Sequence, residues 1–151
     1  MAFLEQEFSE ITESTWQALL GVALKPRVRT TALESIEGFL TGRVEISGAW
    51  NGVLLFHGST PLTKVVASII FDSDHSMVTN QDQMDAMYEL TNNLGVNLKS
   101  LLPEPCQLSL PCVLGTTPES LTVPGAEPVS ELLFDCLGQP LWVSVWKRRD
   151  C

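Results

Sequence analysis

The stretch ELTNNLGVNLK, residues 89–99, places one carboxylate and three carboxamides inside the most helix-like run of the chain. Asn and Gly are poor helix formers, so something other than helix propensity accounts for their presence. Glu89 and Asn92 are three residues apart, which makes them project together from one face of a helix. A carboxylate accepts hydrogen bonds, whereas a carboxamide donates and accepts them and does not titrate. The pair therefore suits polar recognition at a docking face.

A helical wheel at about 100° per residue separates this pair from the core side. The core side carries Met84, Met87, Leu90, Thr91, Leu94, Leu98 and Leu101. Glu89 lies nearly opposite, Asn92 and Asn93 flank it, and Asn97 lies toward the border. The outer face also holds Asp82, Asp85, Val96 and Ser100. An apolar residue gains nothing in water, so the valine favours a docking surface. From spacing alone, a solvated helix face without a function is the simpler interpretation.

Composition excludes several classes of partner. With 151 residues, 44% apolar and 18% charged, the chain suits one domain with a real core. A formal net charge of −9 argues against nucleic acid and against anionic membrane surfaces. No apolar stretch approaches the ~20 residues of a membrane span. The acidic start MAFLEQEFSE lacks the basic residues of a signal peptide. We therefore expect a cytoplasmic protein that binds neither nucleic acid nor membrane.

Two groups of residues could suggest metal or redox chemistry. The cysteines at positions 106, 112, 136 and 151 form no C-x-x-C pair, which favours reduced thiols. The stretch DSDH contains Asp72, Asp74 and His75, whose side chains can bind metals. Polar groups in such a loop are more typical of a solvated linker, so we predict no metal site in this chain.

The first half of the chain predicts a helix, a hairpin and a second helix. Residues 3–24 show helical spacing and end at Lys25-Pro26. The apolar side of this helix is predicted to carry Phe8, Ile11, Thr15, Leu19 and Val22. Residues 34–48 alternate in the manner of a strand from Ile36 onward, and GAWNG then leads into VLLFH, which indicates a hairpin. Ser59 or Thr60 can cap a second helix that begins at Pro61. Its apolar stripe is predicted to be Leu62, Val65, Val66, Ile69 and Ile70.

The second half predicts a loop, a long helix and extended segments. A polar loop at 72–80 precedes a helix from about Gln81 to Leu102. CQLSLPCVLGT reads as a strand whose Pro111 implies a sheet edge or a bulge. Residues 115–128 are predicted to be a loop. The chain then closes in a hairpin turning at Gly138-Gln139-Pro140. Trp142 and Trp146 in that hairpin either pack on one sheet face or form a subunit interface.

The order is helix, two strands, two helices and about three strands. This order predicts an α+β fold, in which a mostly antiparallel sheet packs against long helices. Neither an internal repeat nor a boundary is visible, so we expect a single domain over residues 1–151.

The quoted stretch, following QMDAMY, resembles the signature helix of the CheC/CheX/FliY family of chemotaxis phosphatases. That signature has Glu, two residues, Asn, and later a Gly-Asn pair, often followed by a basic residue. The matching residues are Glu89, Asn92, Asn97 and Lys99. EISGAWNGVLLFHGSTPLTKVVASIIF resembles the family's glycine hairpin and the following helix, with Gly48 and Gly52 at the glycine positions. The resemblance is clearest over residues 36–102. The single signature helix suggests the CheX branch, because CheC-type members carry two copies.

The resemblance implies a phosphatase that hydrolyses the aspartyl phosphate on a CheY-type response-regulator receiver domain. Its catalytic residues would be Glu89, which pairs with the receiver's lysine, and Asn92, which orients the attacking water. The receiver would supply the Mg²⁺, and this chain would bind no cofactor. Partner-binding residues would be Asp85, Asn93, Val96, Asn97 and Ser100. Members of the CheX branch dimerise through their sheets, so a homodimer is also implied as a possibility.

One departure keeps an alternative open. The family usually has Ala-Gly before the second Asn, where this chain has Gly95-Val96. The valine enters the outer face and affects partner fit more than chemistry, because Glu89 and Asn92 keep their spacing. The alternative is a non-catalytic adaptor that binds a receiver or another signalling partner through the same face. A plain structural domain would require the resemblance to be accidental.

Overall fold

The computed structural model describes residues 5–26 and 38–149 of the chain. The helices in this part are α1 (Glu5–Leu20), α2 (Thr60–Ile70) and α3 (Asn80–Lys99). The strands are β1 (Lys25–Pro26), β2 (Phe39–Gly48), β3 (Gly52–Ser59), β4 (Cys106–Leu108), β5 (Cys112–Gly115), β6 (Ala126–Cys136) and β7 (Gln139–Arg148). Short 3₁₀ helices lie at His75–Met77 and Pro118–Leu121. The predicted α+β class is confirmed.

The strands form one antiparallel sheet. Its order is β1-β6-β7-β3-β2-β4, and β5 pairs with β2 beside β4. Successive side chains of a strand point to opposite faces of a sheet. One face therefore carries the side chains that meet the helices in the main core, including Val44, Leu54, Phe56, Val143 and Val145. No helix among the described residues is long and apolar enough to cross a membrane.

Several strand boundaries differ from the predicted ones. Residues 106–116 form two short strands at the edge of the sheet, because Pro111 has no N–H for the ladder. The predicted loop at 115–128 ends early, since β6 already begins at Ala126. The last hairpin turns at Leu137-Gly138 and not at Gly138-Gln139-Pro140. Both turn residues have positive φ, as a two-residue hairpin turn of type I′ requires. The predicted strand residue Ile36 lies outside the described residues.

The buried side of α1 is rotated from the predicted one. It consists of Phe8, Thr12, Thr15, Trp16 and Leu20. The predicted core residue Leu19 is 39% exposed. Threonine can face the core here because its hydroxyl is satisfied. Thr12 Oγ1 donates to the Phe8 carbonyl, and Thr15 Oγ1 accepts a hydrogen bond from Asn97 on α3.

The end of α1 and the start of α2 follow signals in the local sequence. α1 ends at Leu20 instead of residue 24, because Gly21 turns the chain at φ +68°. α2 begins as predicted, with Ser59 as its N-cap and Pro61 in its first turn. Its buried side consists of Leu62, Thr63, Val66 and Ala67. The predicted stripe was wrong at Ile69, which is 39% exposed.

Helix α3 lies directly on β2. Its buried side consists of Gln83, Ala86, Met87, Leu90, Thr91, Leu94, Gly95 and Leu98. Most of the predicted core stripe is confirmed, although Met84 is only half-buried and the helix ends at Lys99 instead of Leu102. A Cβ on Gly42 of β2 would overlap the Thr91 side chain. Glycine at this position therefore sets how closely α3 approaches the sheet.

The sheet face turned away from the helices has its own packing. Both Trp142 and Trp146 lie on this face, as one of the two predictions required. Trp146 is buried against Val53 and Leu55. Half-buried Trp142 contacts His57, with 4.4 Å between ring centroids. A homodimer formed through the sheet stays a prediction.

His57 on this face is fully buried. Its Nδ1 lies 2.8 Å from Thr41 Oγ1, and Nε2 has no hydrogen-bond partner among the described residues. Burial lowers the pKa of His57 to about 4 from an ordinary value of 6.5. The imidazole is therefore neutral in the folded protein near neutral pH.

Substituting Gly42 tests the contact between α3 and the sheet. Gly42→Ala should lower the free energy of unfolding by about 1–3 kcal/mol, because the added Cβ must displace Thr91. Chemical denaturation followed by circular dichroism measures this loss. Gly115→Ala in β5 is the control, since a Cβ there meets nothing within 4 Å. The loss from Gly42→Ala should shrink in a Thr91→Ala background. An unchanged denaturation midpoint would contradict the close approach.

The lowered pKa of His57 predicts acid sensitivity. Below pH 6.5 the unfolded chain takes up a proton that the folded state does not accept until about pH 4. The free energy of unfolding should therefore decrease as the pH is lowered from 6.5 to about 4, by up to about 1.4 kcal/mol per pH unit. Denaturation measured across the window should show a shallower slope for His57→Gln than for wild type. His75→Gln changes an exposed histidine and should keep the wild-type slope. Parallel profiles for wild type and His57→Gln would refute the prediction.

Candidate functional site

Helix α3 presents its outer face from a well-anchored position. At its N-terminus, Thr79 Oγ1 accepts from the Asp82 backbone N–H, and the Asp82 carboxylate accepts from the Thr79 N–H, each at 3.0 Å. This reciprocal pair satisfies two backbone donors that would otherwise lack partners. Near the other end, Asn97 Nδ2 donates to Thr15 Oγ1 of α1. These contacts and the buried side of α3 fix the direction of its outer side chains.

The predicted pair lies on this outer face with its polar groups free. Glu89 is exposed and Asn92 is half-buried. In the described parts of the chain, neither side chain forms a hydrogen bond or an ion pair. The other two carboxamides are engaged: Asn93 Nδ2 donates to the Glu89 carbonyl at 2.8 Å, and Asn97 contacts α1. Of the three, Asn92 is the carboxamide available to a partner.

The remaining predicted partner-binding residues lie along the same side of α3. Asp85 is exposed and accepts a hydrogen bond from Gln81 Nε2 at 2.8 Å. Val96 is 53% exposed. Ser100 follows the helix, and its Oγ donates to the Asn97 carbonyl at 2.6 Å. The structure thus brings Asp85, Val96 and Ser100 to the face that carries Glu89 and Asn92, whereas Asn97 turns toward α1.

A groove extends this face toward α1. It has a volume of about 370 Å³ and is open to solvent. Its lining residues are Ile11, Ser14, Thr15, Ala18, Asn97 and Ser100. Since the last two belong to the predicted site, α1 forms part of the surface that a docked partner would meet.

Tyr88 was missed by the sequence analysis. Its side chain is 36% exposed and lies one helical turn before Asn92. Val96 lies one turn after Asn92. The spacing 88, 92 and 96 was the available signal, but an aromatic residue in a helix is more often buried.

The middle of the outer face of α3 is negatively charged. Asp85 and Glu89 are one turn apart and both exposed. The exposed cation of this helix, Lys99, lies in its last turn. On the sheet, Arg43 and Arg148 contact Glu45 at 2.9 Å and 2.6 Å. The hydrogen bond and charge of Arg43, with a contribution from Arg148, lower the pKa of Glu45.

The DSDH stretch forms a capped turn. Asp74 Oδ1 accepts hydrogen bonds from the Ser76 backbone N–H at 3.0 Å and from its hydroxyl at 2.9 Å. These bonds lower the pKa of Asp74. Within residues 5–26 and 38–149, no group of three or more His, Cys, Asp or Glu residues is arranged to hold a metal ion.

Because the pair makes so few internal contacts, removing it should leave the fold intact. Glu89→Gln and Asn92→Ala should each change the free energy of unfolding by less than about 0.5 kcal/mol. Leu90→Ala, at a buried position between them, should cost about 2–5 kcal/mol. Urea denaturation of the three variants gives the comparison. A loss in either polar variant as large as that of Leu90→Ala would mean that the pair serves the fold and not a partner.

Comparison with known proteins extends the resemblance found in the sequence. The model of the family described as chemotaxis phosphatase CheX matches residues 40–135. No curated protein sequence matches the chain. Among solved structures, the chain is similar to the chemotaxis protein CheX from Vibrio vulnificus, with 15% identity and a TM-score of 0.75. That similarity covers 96% of this chain and 95% of the other.

Two further structures share the fold. A chain of the CheX–CheY–BeF₃–Mg²⁺ complex from Borrelia burgdorferi has 15% identity and a TM-score of 0.70, over 95% of this chain and 97% of that chain. FliY from Thermotoga maritima has 15% identity and a TM-score of 0.57, over 99% and 93% of the two chains. At such identities the similarity shows the fold alone. The family match, however, spans well over half of the sequence. The chain therefore belongs to the CheX family of chemotaxis phosphatases.

Proposed function

We propose that this protein accelerates hydrolysis of the aspartyl phosphate on a CheY-type response-regulator receiver domain. The observation that carries the proposal is the pair of exposed Glu89 and half-buried Asn92, whose side chains have no partner among the described residues, on an anchored helix of a CheX-family domain. The Borrelia burgdorferi structure, in which CheX is in complex with CheY, BeF₃ and Mg²⁺, supports the choice of partner. A cytoplasmic location, as predicted from the sequence, is part of this proposal.

In this proposal Asn92 orients the attacking water. Its carboxamide accepts a hydrogen bond from the water and places the water oxygen in line with phosphorus. Positioning of this kind supplies much of the catalysis in phosphoryl transfer. A carboxylate at this position would repel the phosphoryl oxygens, whereas a carboxamide carries no charge. The helix holds Asn92 more firmly than a loop would.

Glu89 anchors the complex. It pairs with the lysine of the receiver site, and its fixed i,i+3 spacing from Asn92 sets the register of α3 on the receiver. The Mg²⁺ belongs to the receiver and offsets the charge of the phosphoryl group. The exposed carboxylates of Asp85 and Glu89, one turn apart on α3, complement the cationic groups of such a site.

A second candidate is a non-catalytic adaptor that binds a receiver through the same face. Val96 favours it, because this residue departs from the family pattern and is 53% exposed beside the pair. Both candidates dock onto a receiver, but only the phosphatase releases phosphate when present in substoichiometric amounts.

The decisive assay follows loss of phosphate from candidate receivers that have been phosphorylated by a small phosphodonor in Mg²⁺. A catalytic trace of wild type should accelerate the loss. Asn92→Ala should remove most of the acceleration, by roughly 100-fold or more, with a smaller effect on binding. Glu89→Ala should weaken both the complex and the rate. Full activity in Asn92→Ala would sink the assignment of Asn92.

Gln107→Ala is the matched control. It removes an exposed carboxamide from β4, on the sheet face turned away from α3, and should leave the rate unchanged. If wild type binds a phosphorylated receiver without accelerating phosphate loss, the adaptor is the correct function.

A further inference from the structure

Two exposed apolar side chains bracket Asn92 on the outer face of α3. Tyr88 lies one turn before it and is 36% exposed, and Val96 lies one turn after it and is 53% exposed. At 1.5 Å per residue, the two are about 12 Å apart along the helix axis, with Asn92 about 6 Å from each. The carboxamide thus lies midway between two apolar contacts.

Neither residue belongs to the buried side of α3, which is formed by other residues, from Gln83 to Leu98. Valine and tyrosine are weaker helix formers than alanine, so helix stability does not favour them at exposed positions. An apolar pair around a free polar group is typical of a surface that becomes buried in a complex.

We propose that Tyr88 and Val96 are specificity-determining residues that contact the receiver on either side of its phosphorylated aspartate. The inference rests on the proposed function, since Asn92 fixes where the phosphoryl group lies. Continuity with Asn92 identifies the occupant, because a receiver that reaches Asn92 must cover both neighbours one turn away.

This arrangement defines the kind of receiver that fits. The cognate receiver carries small or apolar side chains at two points about 12 Å apart that flank the phosphoryl group. A receiver with a charged side chain at either point is rejected, because that charge would be buried against Tyr88 or Val96 without a partner. Neither residue touches the reacting atoms, so each acts on affinity and leaves the chemical step unchanged.

The test measures the Kd for receivers held with BeF₃ and Mg²⁺, and kcat with the phosphorylated receiver. Tyr88→Ala and Val96→Thr should each raise Kd and KM about three- to tenfold and change kcat by less than about twofold. Threonine keeps the shape and helix propensity of valine and replaces one methyl group by a hydroxyl. Tyr88→Phe keeps the ring and should bind almost as wild type does.

Leu137→Ala is the control for a general loss of surface apolarity. Leu137 is 61% exposed and lies in the β6–β7 turn, away from α3, so its removal should not change Kd. Asn92→Ala should behave in the opposite way to the two apolar variants, with a large loss of kcat and a smaller change in Kd.

The outcomes separate this inference from the proposed function. An unchanged Kd in both Tyr88→Ala and Val96→Thr, with Asn92→Ala still inactive, overturns the inference and leaves the phosphatase standing. Lost turnover at unchanged Kd in Tyr88→Ala also overturns it. If wild type shows no turnover but Tyr88→Ala and Val96→Thr still weaken binding, the inference is supported and the phosphatase function is overturned. Failure of wild type to bind any receiver overturns both.

Discussion

The approach of α3 to β2 at Gly42 is the constraint on which the rest of the site depends. Because Gly42 has no Cβ, Thr91 can lie directly against the strand while its hydroxyl donates to the Met87 carbonyl. This contact fixes the rotation of α3 about its own axis. Once Thr91 faces the sheet, helix geometry turns Glu89 and Asn92 toward solvent. The contact of Thr91 with Gly42, on the buried side of the helix, therefore keeps the polar pair on the outer face.

A second helix completes the support. The hydrogen bond from Asn97 to Thr15 links α3 to α1 through side chains that are both at least partly buried. A buried hydroxyl is costly without a partner, so this bond favours one relative placement of the two helices. The other sheet face, with His57 and Trp146, packs separately from the site. The sheet face that meets the helices supports α3 and its outer side chains, while the opposite face stabilises the sheet.

Much of this arrangement was readable from the sequence, for identifiable reasons. The Ser59–Pro61 cap and the core stripe of α3 were predicted because local chemistry and leucine periodicity point the same way. The face of α1 was not, because Thr12 and Thr15 bury hydroxyls whose partners cannot be read from spacing. The turn at Leu137-Gly138 depends on backbone angles that leucine rarely adopts. The contact of Gly42 with Thr91 joins residues far apart in the chain, which no local pattern reveals.

The candidate site was likewise predictable only in part from the sequence. Glu89 and Asn92 emerged from the resemblance, because E-x-x-N spacing is too common to identify a site. Tyr88 was not identified from the sequence, since its exposure depends on how α3 is rotated on the sheet. The internal hydrogen bonds of Asn93 and Asn97 were also not predictable from the sequence. The helix could be located from the sequence, whereas only the structure distinguishes the free carboxamide from the occupied ones.

The separation of buried and displayed residues on α3 has an evolutionary consequence. Substitutions on the displayed side change few internal contacts, so they cost little folding free energy. Substitutions on the buried side are constrained by close packing. Variation can therefore accumulate around Asn92 at nearly constant stability. A lineage with this helix can exchange one signalling partner for another by small surface steps, each of which passes through a folded protein.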